Sequence, residues 1–343
     1  MRILLNTLYI TTENAYLSLE GENVVIWQEK TQLGRVPFHN ISGIITFGYG
    51  GASPALMGAC AKRGIALAFL SRSGRFLAQS TGEPCGNVLL RKEQYRISDS
   101  GERSLDYAKS FLIGKIYNAR WVIERMARDH SARLDAGRLK KASGFLADAV
   151  KRIGSCSDLD ILRGVEGEAA SVYFGVLDDM ILQQKDAFTF RSRNKRPPLD
   201  PVNAMLSFAY TLLAHDCSSA LLSVGLDPYV GFLHRDRPGR ISLALDLMEE
   251  FRAIYADRFV LTLINKRQVC ADDFFIRENG AVVMKDEARK NFLSLWQKKK
   301  QETLTHPFLE EKIMWGLVPF VQAQLLARRI RGDLDAYPPF LWK

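Results

Sequence analysis

Cysteine is scarce in this 343-residue chain and is not arranged in pairs. Cys60, Cys85, Cys156, Cys217 and Cys270 are odd in number, widely spaced and form no CxxC unit. Neither a disulfide framework nor a zinc ribbon is supported, and reduced thiols in the cytoplasm fit best. Long hydrophobic runs are also missing. Residues 37–61 carry no Lys, Arg, Asp or Glu, but Pro37, Pro54 and Gly48-Tyr-Gly-Gly51 divide them into strand, turn and helix rather than a membrane span. The opening residues alternate like a strand and lead to no signal-peptide cleavage pattern. Internal repeats and low-complexity segments are absent as well. Acidic residues are in deficit, 38 against 47 Lys plus Arg, which leaves a net charge of +9 and favours a polyanionic partner. With 47% hydrophobic residues the chain has ample material for a core.

Periodicity divides the chain. Residues 1–84 read as a β-rich domain. Its short β-branched or aromatic runs are Arg2–Ile10, Ala15–Leu19, Asn23–Glu29, Ile41–Phe47, Ile65–Leu70 and Arg75–Gln79. Within it, Ser53 and Pro54 open a helix that Gly64 stops. The glycines at 48–51 read as a tight strand-to-helix turn, since the spaced fingerprint of a phosphate cradle is missing. From Asn87 the apolar period becomes about 3.6, so 85–343 read as a larger helical domain. Its helices are expected over Asn87–Arg96, Leu105–Asp129, 132–154, 159–183, from 200, 218–224, Glu287–Thr303 and Phe308–Arg331. A hairpin is expected about Glu278-Asn-Gly280. The expected fold class is α+β, a small N-terminal β-rich domain followed by a larger all-α domain.

Chemistry concentrates in three places. The first is Gly231-Phe-Leu-His234, in a loop bounded by glycine and proline. It leads to a helix, with Ser242 as the expected cap, in which Asp246 and Glu249 share one face. Carboxylates set among Leu243, Leu245, Leu247 and Met248 stay ionised only beside a cation, and a His with such carboxylates suits a divalent metal; a surface acidic patch with a loop His bonded to backbone fits the segment equally. The second is Arg163-Gly-Val-Glu166-Gly167, inside a helix capped by the pattern Ser157 to Asp160. Glycines on both sides of Glu166 suggest close approach by a helix or a ligand; Arg163 and Glu166 could equally form an i,i+3 ion pair. The third is the loop bearing Arg191, Arg193, Lys195 and Arg196 without an acid, suited to phosphate contacts or else simply a solvated loop; Arg163 is a further candidate for nucleic-acid contact, and Lys298–Lys300 is another basic run.

The Arg163–Gly167 motif, the segment Arg196-Pro-Pro-Leu-Asp-Pro-Val-Asn203 and the Gly231–Glu249 stretch come in the order found in the CRISPR adaptation endonuclease and integrase family, which the chain resembles. The resemblance covers essentially the whole chain, including its FGYGGASPALM and NVLLRKEQYR segments. It implies a metal site for Mn²⁺ or Mg²⁺ made by Glu166, His234 and Glu249. Glu249 stands where many relatives have Asp, and Asp246 supports the site from behind. By the same resemblance, 3′-hydroxyl ends of double-stranded spacer fragments are joined to the CRISPR repeat by transesterification. The resemblance further implies a homodimer formed through the β domain, a small ferredoxin-like partner protein and no membrane partner. The alternatives are a metal-dependent nuclease for branched or repair-intermediate DNA, and a non-catalytic nucleic-acid-binding scaffold.

Overall fold

The computed structural model describes residues 7–10, 12, 14–41, 43–71, 76–80 and 88–343. In the first part, β1 (Thr7–Ile10), β2 (Ala15–Glu20), β3 (Asn23–Gln28), β4 (Thr31–Pro37), β5 (Gly43–Phe47), α1 (Pro54–Lys62), β6 (Ala66–Leu70) and β7 (Phe76–Ser80) follow one another. One sheet has the order β1-β5-β6-β7, parallel except for β7; the other is the antiparallel meander β2-β3-β4. Leu17, Val24, Ile44, Leu56 and Leu67 are fully buried and form its core. Ser53 caps α1, its hydroxyl accepting from the Leu56 amide at 3.2 Å. β4 was not legible in the sequence. It is polar, mostly exposed and lies at a sheet edge, so its pairing with β3 rather than its own pattern makes it a strand. Arg2, Arg75, Cys85 and Asn87, named among the sequence expectations, lie outside the described residues.

The Gly48–Gly51 segment is a tight turn stitched to β2. Leu17 N–H donates to Gly51 O at 3.1 Å and Ser53 N–H to Leu17 O at 2.8 Å. A Cβ at Gly50 would stand 1.9 Å from Ala15 O, so the turn admits no side chain there.

The remainder comprises α2 (Val88–Ser98), α3 (Gly101–Asp129), α4 (Ala136–Ser155), α5 (Leu159–Gly175), α6 (Pro201–Ser223), α7 (Ser242–Glu249), α8 (Arg258–Asn265), β8 (Phe274–Ile276), β9 (Val282–Met284), α9 (Asp286–Gln301), β10 (Thr303–Thr305), β11 (Lys312–Met314) and α10 (Val318–Arg331). A π-helical turn, Arg252–Asp257, joins α7 to α8. The fold is α+β, with small sheets first and helices after. Helix α6 is one 23-residue element where two were expected; it is buried on nearly all sides, so His215 and Asp216 continue it within the core instead of breaking it. Helix α5 ends at Gly175, earlier than the apolar pattern suggested. Helix α10 begins at Val318 rather than Phe308. Before it, His306 closes a turn by accepting on Nδ1 from the amides of Phe308 and Leu309, at 3.3 and 3.2 Å. Asp158, not Ser157, caps α5, its carboxylate accepting from the amides of Asp160 and Ile161 at 2.9 and 2.8 Å.

Two compact units emerge, and neither is continuous in sequence. The described residues before Val88 group with Arg289–Leu304 and Ile313–Leu317; the described residues of 88–288 group with Thr305–Lys312 and Val318–Lys343. Among the described residues, no helix is long and apolar enough to cross a membrane.

Candidate active site

The second unit brings the sequence-predicted acidic residues and His234 to one place. Asp246, on α7, is completely buried and faces back toward the 231–234 loop. Its Oδ2 accepts from the amides of Phe232 and Leu233 at 2.7 and 2.9 Å, and its Oδ1 accepts from the His234 amide at 3.0 Å. The same Oδ1 lies 2.5 Å from His234 Nδ1. A carboxylate receiving three backbone N–H groups acts as an acceptor, so Nδ1 donates to it and Nε2 is the ring nitrogen turned toward Glu249. The loop can press this closely on α7 only because residue 231 is glycine: a Cβ there would stand 2.9 Å from Asp246 Oδ2 and from Ser242 Cβ. Ser242 is the first residue of α7 and not its cap; its hydroxyl donates to Arg235 O at 3.3 Å, helping to hold the loop.

Glu249 ends α7, one helical turn beyond Asp246, and is 3% exposed. Its Oε1 is 4.0 Å from His234 Nε2. Arg252 donates to both carboxylate oxygens, at 2.8 and 3.1 Å, while its guanidinium lies over the Tyr210 ring at 4.5 Å. Lys115, on α3, places its ammonium 2.9 Å from Glu249 Oε2 and donates also to Glu166 Oε1. Burial alone would raise the Glu249 pKa, but the charges of Arg252, Lys115 and His234 outweigh it and bring the value down to about 2. Glu250, the next residue, is as buried but faces no cation. Burial raises its carboxyl to about 8 despite hydrogen bonds from Tyr337, Phe340 and Gln322.

Glu166 therefore meets Glu249 through a shared ammonium. Among the described residues, no three His, Cys, Asp or Glu side chains stand together as a ready metal cage. The donor set nonetheless fits a divalent cation, because two carboxylates already converge on one positive group beside an oriented imidazole. The glycines beside Glu166 do not mark close approach by another helix, since a Cβ at Gly164 or Gly167 would meet nothing within 4 Å. Arg163 does not pair with Glu166. It turns to Asp160 at 2.7 Å and donates to Leu233 O at 2.9 Å, tying α5 to the histidine loop. A cleft of about 670 Å³ opens beside His234, with Arg163, Asp160, Arg235, Ser98 and Ser157 in its wall.

The family model described as "CRISPR associated protein Cas1" matches residues 8–298. This chain belongs to the Cas1 family. It is 51% identical over 339 residues to the CRISPR-associated endonuclease Cas1 1 of Chlorobaculum tepidum, covering 99% of each chain. It is 54% identical over 347 residues to the CRISPR-associated endonuclease Cas1 2 of Rhodospirillum rubrum, covering all of both. Among solved structures, a casposase bound to integration product shares the fold, with a TM-score of 0.84 at 22% identity over 99% of this chain and 95% of the other.

Within this Cas1 site, sequence reasoning missed Lys115 and Arg252. Lys115 is a lone cation in the apolar stripe Leu112, Gly114, Ile116, Ala119 of α3, and Arg252 follows Glu249 by three residues; both were visible signals. The basic loop proves heterogeneous. Arg191, Lys195 and Arg196 are exposed. Arg193 is half-buried and committed, donating to Asn203 Oδ1 at 2.6 Å and Ser207 Oγ at 3.0 Å with its guanidinium over Tyr210. Although exposed, Lys195 has its pKa lowered by partial desolvation and then by the positive charges of Arg196, Arg252, Arg193 and Arg240. That crowding of like charge reaches Arg252, and so the candidate site. The lysines at 298–300 are a weaker candidate surface, because Lys300 is buried and Lys299 pairs with Glu302 at 2.6 Å beside the Trp315 ring.

Proposed function

We propose that this Cas1 protein is a metal-dependent DNA endonuclease and strand-transfer enzyme of CRISPR adaptation. It would join the 3′-hydroxyl ends of double-stranded spacer fragments to the CRISPR repeat by transesterification. The observation that carries the reading is the pair of carboxylates, Glu166 and Glu249, sharing one cation next to a histidine whose Nδ1 is fixed by Asp246. Glu166, Glu249 and His234 Nε2 would hold Mn²⁺ or Mg²⁺. When bound, the ion would neutralise phosphate charge and lower the pKa of the attacking hydroxyl. Asp246 presents the imidazole, Arg252 keeps Glu249 ionised, and Arg191, Lys195 and Arg196 attract the DNA backbone. Arg163 holds the histidine loop against α5.

The exchange balances without an energy source. The 3′-oxygen of the fragment forms a bond to phosphorus, the bond to the outgoing repeat 3′-oxygen breaks, and one proton moves between the two hydroxyls. One phosphodiester replaces another. Water in place of the fragment hydroxyl gives hydrolysis, in keeping with the "endonuclease" of the relatives' names. Strand transfer gains support from the casposase, whose structure holds an integration product. A Cas6-RT-Cas1--Cas2 complex supports Cas2 as partner, the role foreseen for the small ferredoxin-like protein; this chain covers 36% of the matched chain there. We place homodimerisation in the β-rich unit.

The test compares fragments ending in a 3′-hydroxyl with 3′-dideoxy fragments, in Mn²⁺ or Mg²⁺, on a supercoiled target carrying a repeat and with the partner added. Covalent joining is expected only with the hydroxyl, and is expected to disappear in Glu166→Ala. Nicking with both fragments and no joined product would instead make this a nuclease for branched or repair-intermediate DNA. A lack of any reaction with DNA binding intact would favour the non-catalytic scaffold.

A further inference from the structure

Directly behind the candidate site lies a second, polar knot that the chemistry above does not use. Gly114 and Asn118 flank Lys115 on α3, and Glu250 follows Glu249. All of them meet the segment 337–343. Tyr337 hydroxyl donates to Glu250 Oε1 at 2.6 Å, while Glu250 Oε2 accepts from the Phe340 amide at 2.6 Å and from Gln322 Nε2 at 3.0 Å. Asn118 is completely buried, and its amide nitrogen donates at 2.7 Å both to Glu250 O and to Phe340 O. Its Oδ1 accepts from the Trp342 amide at 2.8 Å. Phe340 is fully buried and packs on Phe251 with ring centroids 5.9 Å apart.

No slack remains in the knot. A Cβ on Gly114 would stand 2.9 Å from Glu250 Cγ and 3.4 Å from Pro339 Cβ, so α3, the end of α7 and the segment touch at one point. Trp342 adds a clamp, with Arg125 of α3 3.8 Å and Arg258 of α8 4.6 Å from its ring. The residues so fixed are sequence neighbours of Lys115 and Glu249, whose approach to 2.9 Å joins the two elements on the site's side. A buried network satisfied this fully has one arrangement, and breaking it frees both elements together.

We propose that segment 337–343 is a positioning strap that sets the register of α3 against the end of α7, and thereby Glu249 against Lys115 and Glu166. Tyr337, Phe340 and Asn118 are positioning residues; none touches the reacting atoms. The catalytic consequence rests on the functional reading above. The strap itself is readable independently, by hydrogen exchange of the protein without metal or DNA.

The experiment compares the wild type with Tyr337→Phe, which deletes only the hydroxyl, with Asn118→Leu, and with Val269→Ala as a core control for general destabilisation. Val269 is 2% exposed and sits elsewhere in the unit, its carbonyl accepting from Gln184 Nε2 at 2.9 Å. Rates at saturating DNA and half-saturating DNA concentrations are measured at a temperature where every variant is folded, together with amide exchange over 242–257. Both strap variants are expected to speed exchange over 242–257 and to lower kcat about tenfold or more, with KM within about twofold of wild type, as displaced catalytic groups do. Val269→Ala is expected to change neither. If one strap variant fails to fold, the other decides. Unchanged exchange over 242–257 would overturn the strap, and so would a kcat loss no greater than that of Val269→Ala. If the wild type has no Glu166-dependent activity, the functional reading fails, while the exchange result still decides the strap.

Discussion

Asp246 and Glu249 lie one helical turn apart on α7, both buried, and they are stabilised in opposite ways. Asp246 is satisfied by neutral donors: three backbone amides and one imidazole N–H. Glu249 is compensated by charge, from the Arg252 guanidinium and the Lys115 ammonium. The first arrangement fixes a loop and leaves nothing for a ligand. The second holds negative charge ready for whatever cation competes for it. The comparison separates a carboxylate that orients a loop from one that faces cations, although their residue types and burial alone would not.

The largest expected effect breaks the binding half. Glu249→Ala or Glu166→Ala should lower strand joining by on the order of 10²–10³-fold, as loss of a transition-state electrostatic group does, with DNA affinity nearly unchanged. Gel-based joining assays beside binding isotherms check it. A kcat within a few fold of wild type for either variant would remove that residue from the site.

Breaking the orienting half should cost less. Asp246→Asn replaces an acceptor by a group whose N–H₂ opposes the loop amides, and about 10–100-fold loss of activity or metal affinity is expected from such outer partners. The variant should also expose the loop to faster amide exchange at Phe232 to His234. If Asp246→Asn proved as damaging as Glu249→Ala in metal affinity, Asp246 would belong with the ligands.

Lys115 sharpens the contrast. Lys115→Met should destabilise the metal-free protein by about 2 kcal/mol, below the ~3–5 kcal/mol of a buried pair broken outright, because Arg252 still serves Glu249. The same variant should gain more thermal stability from Mn²⁺ than the wild type does, since no ammonium has to yield. Equal metal-induced shifts in thermal unfolding would mean that Lys115 and the metal do not compete.

The smallest effect concerns the basic loop. Neutralising Arg191, Lys195 and Arg196 should flatten the log–log salt dependence of DNA binding by about 0.9 for each phosphate no longer neutralised. Arg193→Gln should instead lower thermal stability with little change in slope, because its guanidinium is spent on Asn203 and Ser207.

Much of this is legible in the sequence alone. Strict alternation and turn residues mark most strands, and Ser53-Pro54 marks the start of α1. His234, Asp246 and Glu249 stand out because charge among leucines demands a partner. The partners themselves are harder to see. Lys115 comes from a helix 51 residues before Glu166, and nothing local links them. Strand β4, polar and at an edge, exists through its neighbour. The knot at Glu250 is illegible for the same reason: Tyr337, Phe340 and Asn118 acquire meaning only when three distant segments meet.

The central claim is that Glu166 and Glu249, now sharing the Lys115 ammonium, share a divalent cation with His234 when one is supplied. Crystals grown with Mn²⁺ and measured at the manganese absorption edge test it directly. The account predicts an anomalous peak bonded to Glu166, Glu249 and His234 Nε2, with the Lys115 ammonium displaced and Asp246 still on Nδ1. A peak elsewhere, or none at saturating Mn²⁺ with Lys115 still bridging both carboxylates, would contradict it.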